Sequence, residues 1–363
     1  MLGLIVNPMA GLGGPAGLNG SDGADILARA LARGARPGSV PRAIRAMRAF
    51  AGACPILTGP GSLGADAIAD GATVEVVAMT VADDASDTRR LAEAMKGRVG
   101  LILFAGGDGT ARDIAGVVGE EVPILGIPAG VKMHSAIFAR NPESAGRGAA
   151  EFLKTDRART QRAEVLDIDE AARREGRLST SLYGVVRTPD AAQVLQGAKA
   201  GGGGGLGELD AALGIYVAGM EPDTLYLLGP GTTMAALKAR LSGHEGSLLG
   251  VDVARGGEIV AANASERDLV ALLEGAPRAR IALSVVGGQG FLLGRGNQQI
   301  SPRVLRKVGL KNIDVFCASE KLARLSPAVL SVDTGDSRLD AELAGYRPVM
   351  TGANKSQVVR IAA

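Results

Sequence analysis

Short apolar runs closed by glycine-bearing turns constrain this chain most. Leu2–Val6, Val99–Ala105 and Val122–Ile127 are nearly unbroken apolar segments, and each is followed within five residues by glycine. Between them lie helical patterns: Ala24–Arg33, Val40–Phe50, a helix from a Ser86-Asp87 cap to about Lys96, and Thr110–Val118. Pro55–Leu57 and Thr73–Ala78 read as further short strands. Strands that are apolar on both faces belong to parallel sheets covered on both sides. Their alternation with helices predicts an α/β fold with a doubly wound N-terminal domain. Ligands of such sheets bind beyond the carboxyl ends of the strands.

The pattern changes after helix Asn141–Lys154. Glu164–Ile168 and Leu178–Arg187 read as strands. Helix Leu206–Ala218, strand Thr224–Leu228, helix Thr233–Leu241 and strands Leu248–Val253 and Ile281–Val286 follow, and a mixed segment begins at Ser301. We therefore expect an N-terminal domain over 1–155, a β-rich, mixed α/β domain over 156–345, and a tail over 346–363 that packs back on the first domain. The run Gly201–Gly205 reads as a loop tip.

Composition removes several function classes. Lys and Arg number 40 against 38 Asp and Glu, a balance with no electrostatic footprint for nucleic acid. Aromatics are 3%, too few for a base-stacking surface. Cys54 and Cys317 lie far apart, and the chain has only 2 histidines, so a zinc site is not expected and both thiols read as reduced. No apolar stretch approaches the roughly 18 residues of a membrane span, no basic amphipathic segment suggests membrane binding, and no leader is expected before the first strand. The expected location is the cytoplasm. Gly is 53 of 363 residues, about twice its usual share of roughly 7%.

Those glycines gather where chemistry is expected. Phe104-Ala105-Gly106-Gly107-Asp108-Gly109-Thr110 follows an apolar strand and opens a helix. Glycine lets the backbone approach phosphate closely, and a helix N-terminus favours negative charge. An acidic residue inside such a loop makes sense if Asp108 takes a proton from an attacking hydroxyl or positions Mg²⁺; otherwise it caps the helix.

The segment Gly106–Thr110 resembles the GGDGT signature shared by NAD kinases, 6-phosphofructokinases, and diacylglycerol and sphingosine kinases. Asn7-Pro8-Met9-Ala10-Gly11 is similar to the NP-x-[AS]-G turn of the same superfamily. Gly126-Ile127-Pro128-Ala129-Gly130-Val131-Lys132-Met133-His134-Ser135 stands where NAD kinases carry a second nucleotide loop. With Gly229–Thr233, Leu249–Asp252, Gly287–Phe291 and Gly294–Gln298, it resembles the ATP-NAD kinase-like branch that includes the acetoin-catabolism X proteins. The resemblance implies an ATP-dependent kinase that uses Mg²⁺ and forms a homodimer or homotetramer. Its acceptor would be the 2′-hydroxyl of NAD, or another small alcohol or sugar, with Asp108 as base. A nucleotide-binding regulatory protein without catalysis is the other reading.

By the same resemblance, Asn7, Pro8, Gly11, Gly106, Gly107, Gly109 and Thr110 would contact nucleotide phosphates. Lys132 reads as a phosphate ligand or a surface lysine. His134, at the start of a helical pattern, suits phosphate or ribose, or a packed cap. Gly229, Gly231, Thr232 and Thr233 suit a phosphate at a helix start, or a capped turn. Asp252 suits a ribose hydroxyl, or pairs with Arg255. Arg295, beside Asn297 and Gln298, suits bidentate phosphate binding or loop bracing. Asp333–Asp336 reads as a turn and His244 as solvated. Two departures stand out: no Asn-Glu dipeptide follows the glycine loop, leaving Asp167 and Asp169 as the nearest acids, and residues 13–22 carry no basic side chain.

Overall fold

The computed structural model describes residues 1–18, 24–130, 133–155, 158–168, 180–191, 194–195, 206–243, 245–286, 289–325 and 328–363. They form two compact units, Met1–Leu12 with Arg36–Ala198, and Gly13–Ala35 with Lys199–Ala363.

Among the described residues of the first unit, five strands form a parallel sheet. They are β1 (Leu2–Val6), β2 (Ile56–Thr58), β3 (Val74–Val76), β4 (Leu101–Gly106) and β5 (Ile124–Pro128), in the order β3-β2-β1-β4-β5. Alternation along each strand builds two cores. Leu2, Leu4, Leu101, Leu103, Leu125 and Ile127 face one side, where helices α2 (Ser39–Phe50) and α5 (Pro142–Lys154) pack. Ile5, Ile102, Phe104 and Ile124 face the other, with α3 (Ala85–Met95) and α4 (Asp108–Val118). Burial on both faces explains why these strands read as continuous apolar runs. The order reverses between β1 and β4, so the crevice of this sheet opens beyond the ends of those two strands.

A two-stranded antiparallel ribbon, β6 (Thr160–Ile168) with β7 (Thr180–Pro189), also belongs to the first unit. The ribbon lies past residue 155, where the second domain was expected to begin. Helix α1 (Ala24–Ala32) groups instead with the second unit. The α3 cap is Asp84, which accepts from Ser86 N at 2.7 Å, and not Ser86-Asp87. Asp87 is buried and ties the preceding turn by accepting from Ala82 N and Asp83 N.

In the second unit the described residues include a ten-stranded mixed sheet. Its centre is three parallel strands, β8 (Thr224–Leu228), β12 (Arg278–Ser284) and β14 (Ile313–Phe316). β10 (Asp252–Arg255) joins β8 antiparallel. The tail forms β16 (Gly345–Gly352) and β17 (Lys355–Ala362), a hairpin built into this sheet. Leu227, Val253, Ile281, Leu283 and Val315 pack on one face, and Tyr226, Leu228, Ala282 and Phe316 on the other. Gly201–Gly205 and His244 lie outside the described residues.

Two helix glycines separate packing from propensity. A Cβ on Gly146 of α5 would run into the Ala46 carbonyl of α2, whereas Gly116 of α4 is exposed with open space beside it. Gly146→Ala is therefore expected to destabilise by about 1–3 kcal/mol through overpacking. Gly116→Ala is expected to stabilise by up to about 1 kcal/mol through helix propensity. Urea unfolding of both variants checks the opposite signs.

Candidate active site

The first unit brings three loops together at the carboxyl ends of β1, β4 and β5. Asn7 follows β1, and its amide hydrogen-bonds to Ala105 O of β4 at 3.0 Å. Its side chain accepts from Met9 N at 3.1 Å, closing the turn, and its Nδ2 donates to Thr110 Oγ1 at 2.9 Å. Asn7 and Thr110 thus tie the two strands that flank the reversal of strand order. Pro8 lies within this turn, which Ala10 N closes onto Asn7 O at 3.2 Å. Gly11 takes φ +81°, and a Cβ there would collide with Ala129 O. Glycine is required at that point because the turn lies against the loop after β5.

The loop after β4 is equally close to its neighbours. Gly106 O accepts from Ala129 N and Gly130 N at 3.0 Å each, and Arg42 Nε donates to Pro128 O. Gly107 is the N-cap of α4 in extended conformation. Asp108 is the first helical residue, where its negative charge suits the helix dipole. The first intrahelical bond runs from Ala111 N to Gly107 O, so the amides of Asp108, Gly109 and Thr110 belong to the open end of the helix. That end is a ready anion site.

The Asp108 side chain is 4% exposed and is enclosed by protein donors. Oδ2 accepts from His134 N at 2.7 Å and lies 3.1 Å from His134 Nδ1. Oδ1 accepts from Ser135 N at 3.1 Å and Ser135 Oγ at 2.7 Å. Ser135 Oγ also meets β6, accepting from Leu166 N at 3.0 Å and lying 3.1 Å from Leu166 O. A carboxylate has about four acceptor positions, and all are engaged. Asp108 therefore has no vacant position for direct Mg²⁺ coordination. Among the described residues, no three His, Cys, Asp or Glu side chains converge on a common point.

His134 opens no helix; it lies in irregular chain after the undescribed residues Val131 and Lys132. Lys132 and Asp169 fall outside the described residues. Asp167 is the penultimate residue of β6, paired in register with Ser181. Ser135 received no role from its residue type, although it directly follows His134 and carries a hydroxyl donor.

The remaining candidates lie in the second unit, where most of their polar groups are turned inward. Gly229 N donates to Ala282 O at 2.9 Å and Gly231 N to Leu248 O at 2.8 Å. Gly231 caps the helix Thr232–Lys238; Thr233 is buried and Thr232 exposed. Asp252 is buried and pairs with Lys238 at 2.9 Å, not with Arg255. Its carboxylate also accepts from Ser247 N and Asn263 N at 2.6 Å each. Lys238 Nζ donates further to Ser247 O at 2.7 Å and Gly250 O at 3.0 Å. Burial pushes this ammonium below its usual pKa, and Asp252 opposes the shift. Arg295 pairs with Asp333 at 2.9 Å and stacks 4.2 Å from the Phe291 ring centre. Asn297 braces its loop, accepting from Gly294 N at 2.8 Å and donating to Leu292 O at 2.9 Å. Asp333 is thus half of a buried pair, while Asp336 caps helix Ser337–Leu343. Residues 13–18 are seated in this unit, with Pro15 O accepting from Glu266 N at 2.8 Å.

Lys238→Met leaves the Asp252 charge buried without its partner and is expected to cost about 3–5 kcal/mol. Lys238→Met with Asp252→Asn removes both charges and is expected to recover part of that loss. Chemical denaturation of the single and double variants measures the difference.

The family model of the ATP-NAD kinase N-terminal domain matches residues 2–158, and that of the ATP-NAD kinase C-terminal domain matches 222–361. No curated protein and no solved structure matches the chain significantly. Among the described residues, no helix is long and apolar enough to cross a membrane.

Proposed function

The chain belongs to the ATP-NAD kinase family of ATP-dependent kinases, and we propose that it transfers the γ-phosphoryl group of ATP to the 2′-hydroxyl of the adenosine ribose of NAD. The observation that carries this reading is the convergence of the Asn7 turn, the open end of α4 and residues 128–130 and 133–135 at the reversal point of the first sheet. Amides of Asp108, Gly109 and Thr110 would hold phosphate oxygens, aided by the helix dipole. Mg²⁺ bound to the nucleotide would neutralise phosphate charge. The protein's share of the rate is positioning and charge stabilisation, as expected for phosphoryl transfer.

A second reading has one observation in its favour. The Asp108 carboxylate is already enclosed by His134 and Ser135, which suits a nucleotide-binding protein without turnover. A different small alcohol or sugar as acceptor keeps the chemistry and changes only the pocket.

An acceptor assay separates these readings. With ATP and Mg²⁺, NAD is expected to give NADP and equimolar ADP, and Asp108→Asn is expected to abolish turnover, because its amide would face the two donor N–H groups. Nucleotide at 100 times its Kd stabilises a fold by about 2.7 kcal/mol. Thermal stabilisation of that order, with no ADP released for NAD, sugars or small alcohols, would establish the binding-protein reading instead.

A further inference from the structure

We propose that Ser135 is a positioning residue for Asp108: its buried hydroxyl holds the ionised carboxylate, and it turns to the Leu166 carbonyl once Asp108 has taken the proton of the acceptor hydroxyl. The inference rests on the kinase reading, in which Asp108 is the base, and adds a residue to that same site.

Ser135 stands behind the carboxylate. The side of Asp108 nearer solvent is the one met by the His134 ring, which is 15% exposed, whereas Ser135 is buried at 0%. An acceptor therefore reaches Asp108 without meeting Ser135, which touches no reacting atom. On the far side of Ser135 lies β6. In an antiparallel pair, alternate residues turn both N–H and C=O away from the partner strand. Leu166, in register with Leu182 of β7, is such a residue, and both of its backbone groups meet Ser135 Oγ.

The hydroxyl has one proton and two acceptors for it. Oγ lies 2.7 Å from Asp108 Oδ1 and 3.1 Å from Leu166 O, and it accepts from Leu166 N at 3.0 Å. While Asp108 is ionised, the proton goes to the carboxylate, the nearer partner and the charged one. A protonated carboxyl group needs the reverse, because it has become a donor. Two of the groups around Asp108 are the backbone amides of His134 and Ser135, which cannot turn. The serine hydroxyl can. Turned to Leu166 O, it keeps the bond from Leu166 N on one lone pair and offers the other to Asp108. Neither state then leaves a buried polar group of Ser135 or Leu166 unmatched, which would otherwise oppose the proton's arrival.

The step balances. The acceptor oxygen forms a bond to the γ-phosphorus as the bond from that phosphorus to the β,γ-bridging oxygen breaks. ADP leaves with the electron pair of the broken bond. The hydroxyl proton passes to Asp108, and solvent later removes it.

Ser135→Ala removes the hydroxyl. With ATP, Mg²⁺ and NAD, its kcat at neutral pH is expected to fall about 10–100-fold, the loss of one hydrogen bond to a charged group, with KM for ATP little changed. The acid limb of its kcat–pH profile is expected to move to higher pH, because losing a donor to the charged form favours the neutral acid. Among the described residues, His134 is the other titratable group that meets Asp108, and it is present in both proteins, so the difference between their profiles belongs to Ser135. Ser135→Cys keeps a weak donor. Its kcat and acid limb should fall between those of Ser135→Ala and wild type, and it replaces Ser135→Ala in the comparison if that variant does not fold. A fall in kcat that is the same at every pH marks a purely structural role and overturns the proposal, as does kcat within a few-fold of wild type across the profile. Either result leaves the kinase reading intact. Wild-type protein that phosphorylates no acceptor defeats both.

Discussion

A buried carboxylate must be matched by donors, and at Asp108 that requirement organises the first unit. With its side chain only 4% exposed, the charge is tolerable because four donors surround it. All four come from two consecutive residues, His134 and Ser135. One side chain therefore fixes the path of the loop after β5 relative to the first turn of α4. Ser135 extends the tie to β6 through Leu166. Three elements distant in sequence are aligned by one charge, and a defect there would be felt by all of them.

The sheet supplies the location. Strand order reverses between β1 and β4, and Asn7 and Thr110 bridge that reversal with one side-chain bond. Gly106 O draws in two amides of the loop after β5, while Gly11 has no room for a side chain against Ala129. The glycines serve close backbone approach, and the polar residues hold the approaching segments in register. Binding groups so placed lose little freedom when a ligand arrives, the condition under which positioning contributes most to rate.

How much of this was legible in the sequence follows from which contacts are local. The apolar runs Leu2–Val6 and Val99–Ala105 announced buried parallel strands, since burial on both faces leaves a pattern in every residue. Gly106–Thr110 announced a tight strand-to-helix turn. The partners of Asp108 were not visible, because His134 and Ser135 lie more than 20 residues away and nothing local pairs them with a carboxylate. In the second unit the same blindness had a larger effect. Asp252 and Arg295 occur in glycine-rich segments and read either as ligand groups or as structural partners, and Lys238 and Asp333 are the residues that pair with them. A lysine closing the apolar helix Thr232–Lys238 was the available signal, and its partner is 14 residues away across a loop. Segment 13–35 grouped with the second unit for a comparable reason: Pro15 and Glu266 meet through backbone atoms, which leave no trace in residue type.

Charge gives the site its direction. The open end of α4 attracts anions, but the Asp108 carboxylate occupies the same end and opposes them. Like charges about 4 Å apart repel by roughly 4 kcal/mol at an effective dielectric of 20. Among the described residues, no lysine or arginine is bonded to Asp108 to offset this, so under the kinase reading the nucleotide must bring its own cation.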